Sequence, residues 1–200
     1  ITDEWEVGVV LWLDQHYEVN VSTSRVHEVA GYLAAQQARH PVREYLLGLE
    51  WDQTARVRGL FHTYFGAEET ELYAEVSKAF LVSMVARILQ PGCKVDTVPI
   101  LVGRQGVKKS SGLEALVPER TWFSDSAIDF GRKDAFAQLR GVWLYELGEL
   151  AGVRRSEIEG VKAFITSKRD RYRPAYGRNI IEQPRQVVFA GTTNEQEFLG

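Results

Sequence analysis

The feature that most constrains this chain is an apolar run that breaks into a glycine-bearing loop. Ile100-Leu101-Val102 leads into Gly103-Arg104-Gln105-Gly106-Val107-Lys108-Lys109-Ser110, and residues 111–117 then read as a helix. Strand, loop and helix in this order match the phosphate-binding template G-x-x-x-x-G-K-[ST] at Gly103, Lys109 and Ser110. Such a loop works because successive backbone N–H groups face phosphate oxygens at a helix start. Gly103 and Gly106 supply permissive backbone, and Gln105, Val107, Lys108 and Ser111 belong to the same cradle. Lys109 would bring a point charge to the β- and γ-phosphates, and Ser110 a hydroxyl to Mg2+. Lys108 stands where the template has its second glycine. If the loop needs positive φ there, a lysine costs about 1–2 kcal/mol. A second ammonium beside a triphosphate acts in the opposite direction. Taken alone, the segment admits a weakened nucleotide site, a degenerate loop that keeps the fold, or an unrelated turn.

A length of 200 residues suits one medium domain, or a small domain packed on a larger one. A hydrophobic content of 44% excludes a disordered chain. No apolar run approaches the roughly 18 residues that span a bilayer, so no membrane partner is expected. The start, Ile1-Thr2-Asp3-Glu4, lacks the order of a signal peptide, and the one cysteine, Cys93, cannot form an internal disulfide. The expected setting is therefore cytoplasmic. The histidines are scattered, and no Cys/His cluster has zinc-ligand spacing. The net charge of −3 is unevenly spread. Residues 1–100 carry 8 Lys/Arg against 14 Asp/Glu, whereas residues 151–185 carry 9 against 4. The basic stretch points to an anionic partner at that patch.

The first ninety residues read as a helical region, and residues 91–200 as a second domain. Ser24 is the expected N-cap of a helix carrying Val26, Val29, Ala30 and Leu33, which should end before Pro41. Residues 42–49 form a short amphipathic segment. A longer helix is expected over 69–90, with Leu72, Val76, Ala79 and Phe80 on its apolar face. Between Phe80 and Ala86 the apolar character spreads around the helix, which predicts burial on several sides. Pro91-Gly92 stops it and marks the boundary. Beyond lie apolar runs at 95–102, 142–145 and 187–190, with helical segments at 134–140 and 157–166. That alternation predicts an α/β sheet. Pro99 cannot donate to a ladder, so the first strand should begin at Ile100. Ser156 and Glu159 form a capping box for the helix near 157.

Three further segments carry chemistry. Val142-Trp143-Leu144-Tyr145 runs into Glu146, and Glu149 follows. Either carboxylate can hold a metal or polarise water; the plain alternative is a pair of solvated residues. The run 187–190 ends in Gly191-Thr192-Thr193-Asn194. Asn194 can sense a γ-phosphate, or simply cap the next helix. Lys168, Arg169, Arg171, Arg173 and Arg178 can follow a nucleic-acid backbone while Tyr172 stacks on a base. A solvated, salt-bridged loop is the alternative.

In order, Lys109-Ser110, Trp122-Phe123-Ser124-Asp125, the run 143–150, Val161-Lys162-Ala163-Phe164, the run 172–178 and the run 184–194 resemble the virulence-associated protein E family. The upstream phrases at 40–46, 51–52 and 85–96 resemble it too, so the resemblance covers roughly residues 40–200. It implies a primase–helicase ATPase of phages and mobile elements, related to superfamily-three helicases. The implied fold is a P-loop NTPase core of the AAA+ or superfamily-three type, preceded by a helical region. The implied partners are ATP, Mg2+, single-stranded or forked DNA, and further copies of the chain in a ring. By the resemblance, Lys109 and Ser110 match the Walker A lysine and hydroxyl, with Ser110 and Glu146 on the metal. Glu146 and Glu149 match the Walker B segment, Asn194 the polar sensor, and 162–178 the approach to a DNA-contacting hairpin. Lys108 departs from the family's glycine. The chain also stops at Gly200, before the family's arginine-bearing segment, so a truncated core is expected. The expected function is an ATP-dependent DNA helicase core. The rival is a nucleotide-impaired DNA-binding, assembly or regulatory module with the same fold.

Overall fold

The computed structural model describes residues 3–37, 39–148, 158–173 and 180–194. The chain divides into two compact units, Ile1–Glu44 and Tyr45–Gly200. The break at Pro91-Gly92 thus lies inside the second unit. There it is tied down, because the Gly92 N–H donates to the Arg185 carbonyl at 2.9 Å.

In the first unit, α1 (Asp3–Tyr17) packs on α2 (Thr23–Gln36). The N-cap of α2 is Ser22, not the expected Ser24. Ser22 holds the extended backbone a cap requires, and its hydroxyl accepts the Arg25 N–H at 3.3 Å, whereas Ser24 is already helical. Pro41 opens α3 (Pro41–Leu47), and the division between the units falls within that helix.

The second unit begins its helical layer with α4 (Leu60–Phe65) and α5 (Glu71–Leu89). Thr70 caps α5 by accepting the Tyr73 N–H at 3.2 Å. The buried face of α5 is Ser77, Phe80, Ser83, Met84, Arg87 and Ile88, at helical spacing. The expected face is therefore corrected: Leu72 and Ala79 are exposed and Val76 is only half-buried. Polarity hid the true face. Ser77 Oγ accepts the Phe61 N–H at 3.2 Å and donates to the Tyr73 carbonyl at 2.7 Å. Ser83 donates to the Phe80 carbonyl at 2.6 Å. Both hydroxyls are thus satisfied and cost little to bury. The expectation of burial on several sides is corrected too. Val82, Val85 and Leu89 are exposed, and with Val57, Leu81 and Ala86 they line an apolar surface groove.

The remaining elements are β1 (Ile100–Val102), α6 (Lys109–Glu114), β2 (Phe123–Ser124), β3 (Leu144–Leu147), α7 (Ile158–Thr166), β4 (Arg169–Tyr172), β5 (Ile181–Pro184) and β6 (Val188–Thr193). The main sheet has the order β1-β6-β3-β2, and its neighbours are parallel. The fold is therefore α/β, as the alternation of runs predicts. β1 starts at Ile100, and the Pro99 carbonyl accepts the Gly191 N–H at 2.8 Å. The proline thus joins the ladder through the one group it can offer. The helical segment expected at 134–140 is a 3-10 stretch, Lys133–Leu139. The capping-box residue Ser156 lies outside the described residues.

β3 and β6 are buried along their whole lengths, as central parallel strands are. Tyr145, Leu147, Val187 and Phe189 form a cluster with Ala135, Leu139 and Phe164, so the 3-10 stretch and α7 cover this face. α6 packs on β3 and β6, and α5 on β6. Trp143 Nε1 donates to the Met84 carbonyl at 2.9 Å and joins the start of β3 to α5.

A second, two-stranded sheet pairs β4 with β5 in antiparallel register. Its inward side carries Asp170, whose Oδ1 accepts from Arg185 Nε at 2.7 Å. Both side chains are buried. The Arg185 guanidinium also donates to the Phe164 and Ile165 carbonyls and lies over the Phe136, Phe164 and Phe189 rings. Burial pushes the Asp170 carboxyl up and the Arg185 guanidinium down, and each charge opposes the other's shift. Removing one partner leaves the other uncompensated in the core. We therefore expect Asp170→Asn to lower stability by about 3–5 kcal/mol, measured by denaturant unfolding. A loss within the scatter of surface substitutions would show that the pair does not support the core.

Candidate functional site

Parallel pairing places the carboxyl ends of β1, β3 and β6 at one edge of the sheet. Open α/β sheets bind ligands at that edge. The loop 103–108 leaves β1 there, Glu146 lies on β3, and Thr192 and Thr193 end β6 just before Asn194. The Gly103 N–H donates to the Thr193 carbonyl at 3.2 Å, which extends the β1–β6 ladder into the loop.

Lys109 is the first residue of α6. Its Nζ donates to the carbonyls of Gly103 at 2.7 Å and Arg104 at 3.1 Å, and to Asn194 Oδ1 at 2.9 Å. An ammonium has three donors, so all three are engaged within the chain. Ser110 Oγ donates to Glu146 Oε1 at 2.7 Å. Thr192 Oγ1 donates to the same oxygen at 2.6 Å. Glu146 Oε2 is buried without a partner. The structure therefore brings the adjacent Lys109 and Ser110 together with Asn194 and Glu146, which are far from them in the chain. Glu149 lies outside the described residues. Among the described residues, no three His, Cys, Asp or Glu side chains group as a metal cage.

The backbone of the loop answers the question raised by its sequence. Lys108 has φ 63° and ψ 33°, in the left-handed region. The position does favour glycine, and Lys108 carries the strain. Its side chain is exposed, as are Gln105, Gly106 and Val107, while Gly103 is half-buried. Ser111 is exposed on the first turn of α6. One turn on, a Cβ at Gly112 would fall 2.7 Å from Phe65 Cε1, so α6 lies close against α4.

Residues 169–172 of the basic segment form the strand β4. Arg169, Arg171 and Arg173 are exposed at alternate positions, and Lys168 precedes them. Arg169 pairs with Glu182 across the two strands at 2.7 Å. Tyr172 corrects the expectation of a base-stacking ring. Strand alternation turns it to the inner side, where it is buried. Arg178 lies outside the described residues.

The model of the virulence-associated protein E-like domain matches residues 46–200. The chain belongs to that family. No curated protein matches it. Solved structures similar to it include the apo structure of the NrS-1 C-terminal region (305–718), at 20% identity and a TM-score of 0.42, covering 70% of this chain and 33% of that one. Another is the A form apo structure of the same region, at 20% identity and a TM-score of 0.42, covering 69% of this chain and 32% of that one. The chain thus spans about a third of the length of these structures. No helix among the described residues of this virulence-associated protein E-like domain is long and apolar enough to cross a membrane.

Sequence reasoning did not single out Thr192 as a partner of Glu146. The available signal was its place at the polar end of a buried strand beside the acidic one. Two stability tests follow from the loop. Lys108→Gly should raise stability by about 0.5–1 kcal/mol, as relief of left-handed strain outweighs the added chain entropy. Gly112→Ala should lower it by about 1–3 kcal/mol through overpacking against Phe65. Urea midpoints measure both, and a reversed sign in either would contradict the corresponding geometry.

Proposed function

We propose that this virulence-associated protein E-like domain is the P-loop NTPase core of a replication protein from a phage or mobile element, coupling ATP hydrolysis to movement on DNA. The observation that carries the reading is the convergence of Lys109, Ser110, Glu146 and Asn194 at the carboxyl edge of a parallel sheet. Chance matches to the loop template do not bring a buried acid and a strand-tip amide to the same lysine and serine.

The residues fit a divalent cation. Glu146 Oε2 is a buried carboxylate oxygen without a partner, and Ser110 Oγ keeps its lone pairs free while donating to Oε1. Mg2+ commonly takes one or two carboxylates and completes its shell with substrate phosphates and water. Ser110 and Glu146 would hold it here. When bound, Mg2+ supplies positive charge to the oxygens of the β- and γ-phosphates.

The other roles follow from the side chains. Lys109 exchanges its bonds to the Gly103 and Arg104 carbonyls for phosphate oxygens and stabilises charge that develops on transfer. Asn194, now bonded to Lys109, orients the γ-phosphate or the attacking water. Glu149 is the second acid and the candidate base. Arg169 and Arg171 on β4, with Lys168 before it and Arg173 after it, give a cationic face suited to a DNA backbone. A ring of copies would bring neighbouring chains to each nucleotide.

Two observations favour a second reading. The strained Lys108 and the self-satisfied Lys109 also suit a loop that keeps the fold without taking nucleotide. Calorimetric titration with Mg-ADP separates the two. The wild type should bind at millimolar concentration or tighter, and Lys109→Ala should lose at least about 10-fold, the worth of one charged hydrogen bond. Absence of binding by the wild type would leave the DNA-binding or assembly module as the reading.

A further inference from the structure

We infer that Thr192 is a positioning residue for the cation-facing oxygen of Glu146. The inference rests on the nucleotide reading above and extends it to a residue outside the loop motif. A carboxylate oxygen has two lone pairs, and both on Glu146 Oε1 are taken, by Ser110 Oγ at 2.7 Å and Thr192 Oγ1 at 2.6 Å. Oε2 is buried and receives nothing. The carboxylate is thus held with one oxygen saturated and the other bare.

One donor would not achieve this. The terminal torsion of a glutamate is broad, so a single hydrogen bond leaves the group free to swing about the bonded oxygen. A second donor from a different element fixes the plane. Thr192 suits that task for three reasons. It is 6% exposed, so water does not compete for its hydroxyl. It sits on β6, an inner strand of the sheet, opposite Leu101 of β1. It is β-branched, which restricts its own rotamer. Glu146 lies opposite Ala190, two residues before Thr192, so the period of two places both side chains on one face of the sheet. The two hydroxyls then divide the work. Ser110 stands at the start of α6, where the loop meets phosphate, and its lone pairs remain open. Thr192 stays behind the carboxylate and keeps Oε2 aimed forward.

The test compares ADP affinity with Mg2+ and with EDTA, by calorimetry, in wild type, Thr192→Val and Thr192→Ser. Melting curves check that each variant is folded. Valine keeps the shape and removes the donor, and serine keeps the donor. We expect the ratio of the two affinities to fall about 10- to 100-fold in Thr192→Val, the usual cost of losing an outer partner of a metal ligand. Thr192→Ser should keep a ratio close to wild type. Should the valine variant not fold, Thr192→Ala carries the same expectation. An unchanged ratio without the hydroxyl overturns the inference, as does an equal loss in the serine variant. Wild-type binding that ignores Mg2+ overturns it while the nucleotide site stands. If wild type binds no ADP at all, the nucleotide reading falls and the inference with it.

Discussion

The structure of the second unit depends on β6, the strand that lies between the loop-bearing β1 and the acidic β3. β6 pairs with β1 on one side and β3 on the other, and all six of its residues are buried. Because both pairings are parallel, three carboxyl ends reach the same edge together. The site exists because of that coincidence. Without β6 between them, the loop after β1 and the acid of β3 would have no common neighbour to set their spacing.

The polar groups that sequence separates are held by a short chain of hydrogen bonds. It runs from Asn194 to Lys109, along α6 to Ser110, across to Glu146 and back to Thr192 on β6. Glu146 Oε2 is the buried side-chain atom of this chain of bonds that has no partner. Leaving a buried polar oxygen unpaired costs more than pairing it, which makes Glu146 Oε2 the most expensive atom in this chain of bonds. The strain at Lys108 belongs to the same account. Backbone held in a sparsely populated region persists where its surroundings over-determine it, and here β1 and α6 fix both ends of the loop.

How much of this could be read from the chain differs by element. The order of strand, loop and helix around Lys109 and Ser110 was legible because the phosphate-loop template asks for few residue types at a fixed spacing. The strand start at Ile100 was legible because Pro99 lacks a donor. The inner side of α5 was not, because Ser77, Ser83 and Arg87 lie on it while Val82 and Val85 face out. Hydropathy ranks the two serines wrongly because local bonds satisfy them, and Arg87 wrongly because its printed bond is to the distant Ser167 carbonyl. The β4–β5 pair was hidden for a similar reason: its inward position is an aspartate, matched to an arginine in the following segment. No window of sequence shows that match. Tyr172, read as a stacking ring, was turned inward by strand alternation that the cationic composition obscured.

The proposed function requires the loop 103–111 to receive phosphate. The most direct measurement is a two-dimensional amide NMR titration of the labelled protein with Mg-ADP. Saturable shifts are expected on the amides of Gly103 to Ser111, with Asn194 following as Lys109 releases it. A protein whose loop amides stay fixed while ADP reaches millimolar concentration, or whose shifts cluster elsewhere, would contradict the proposed function.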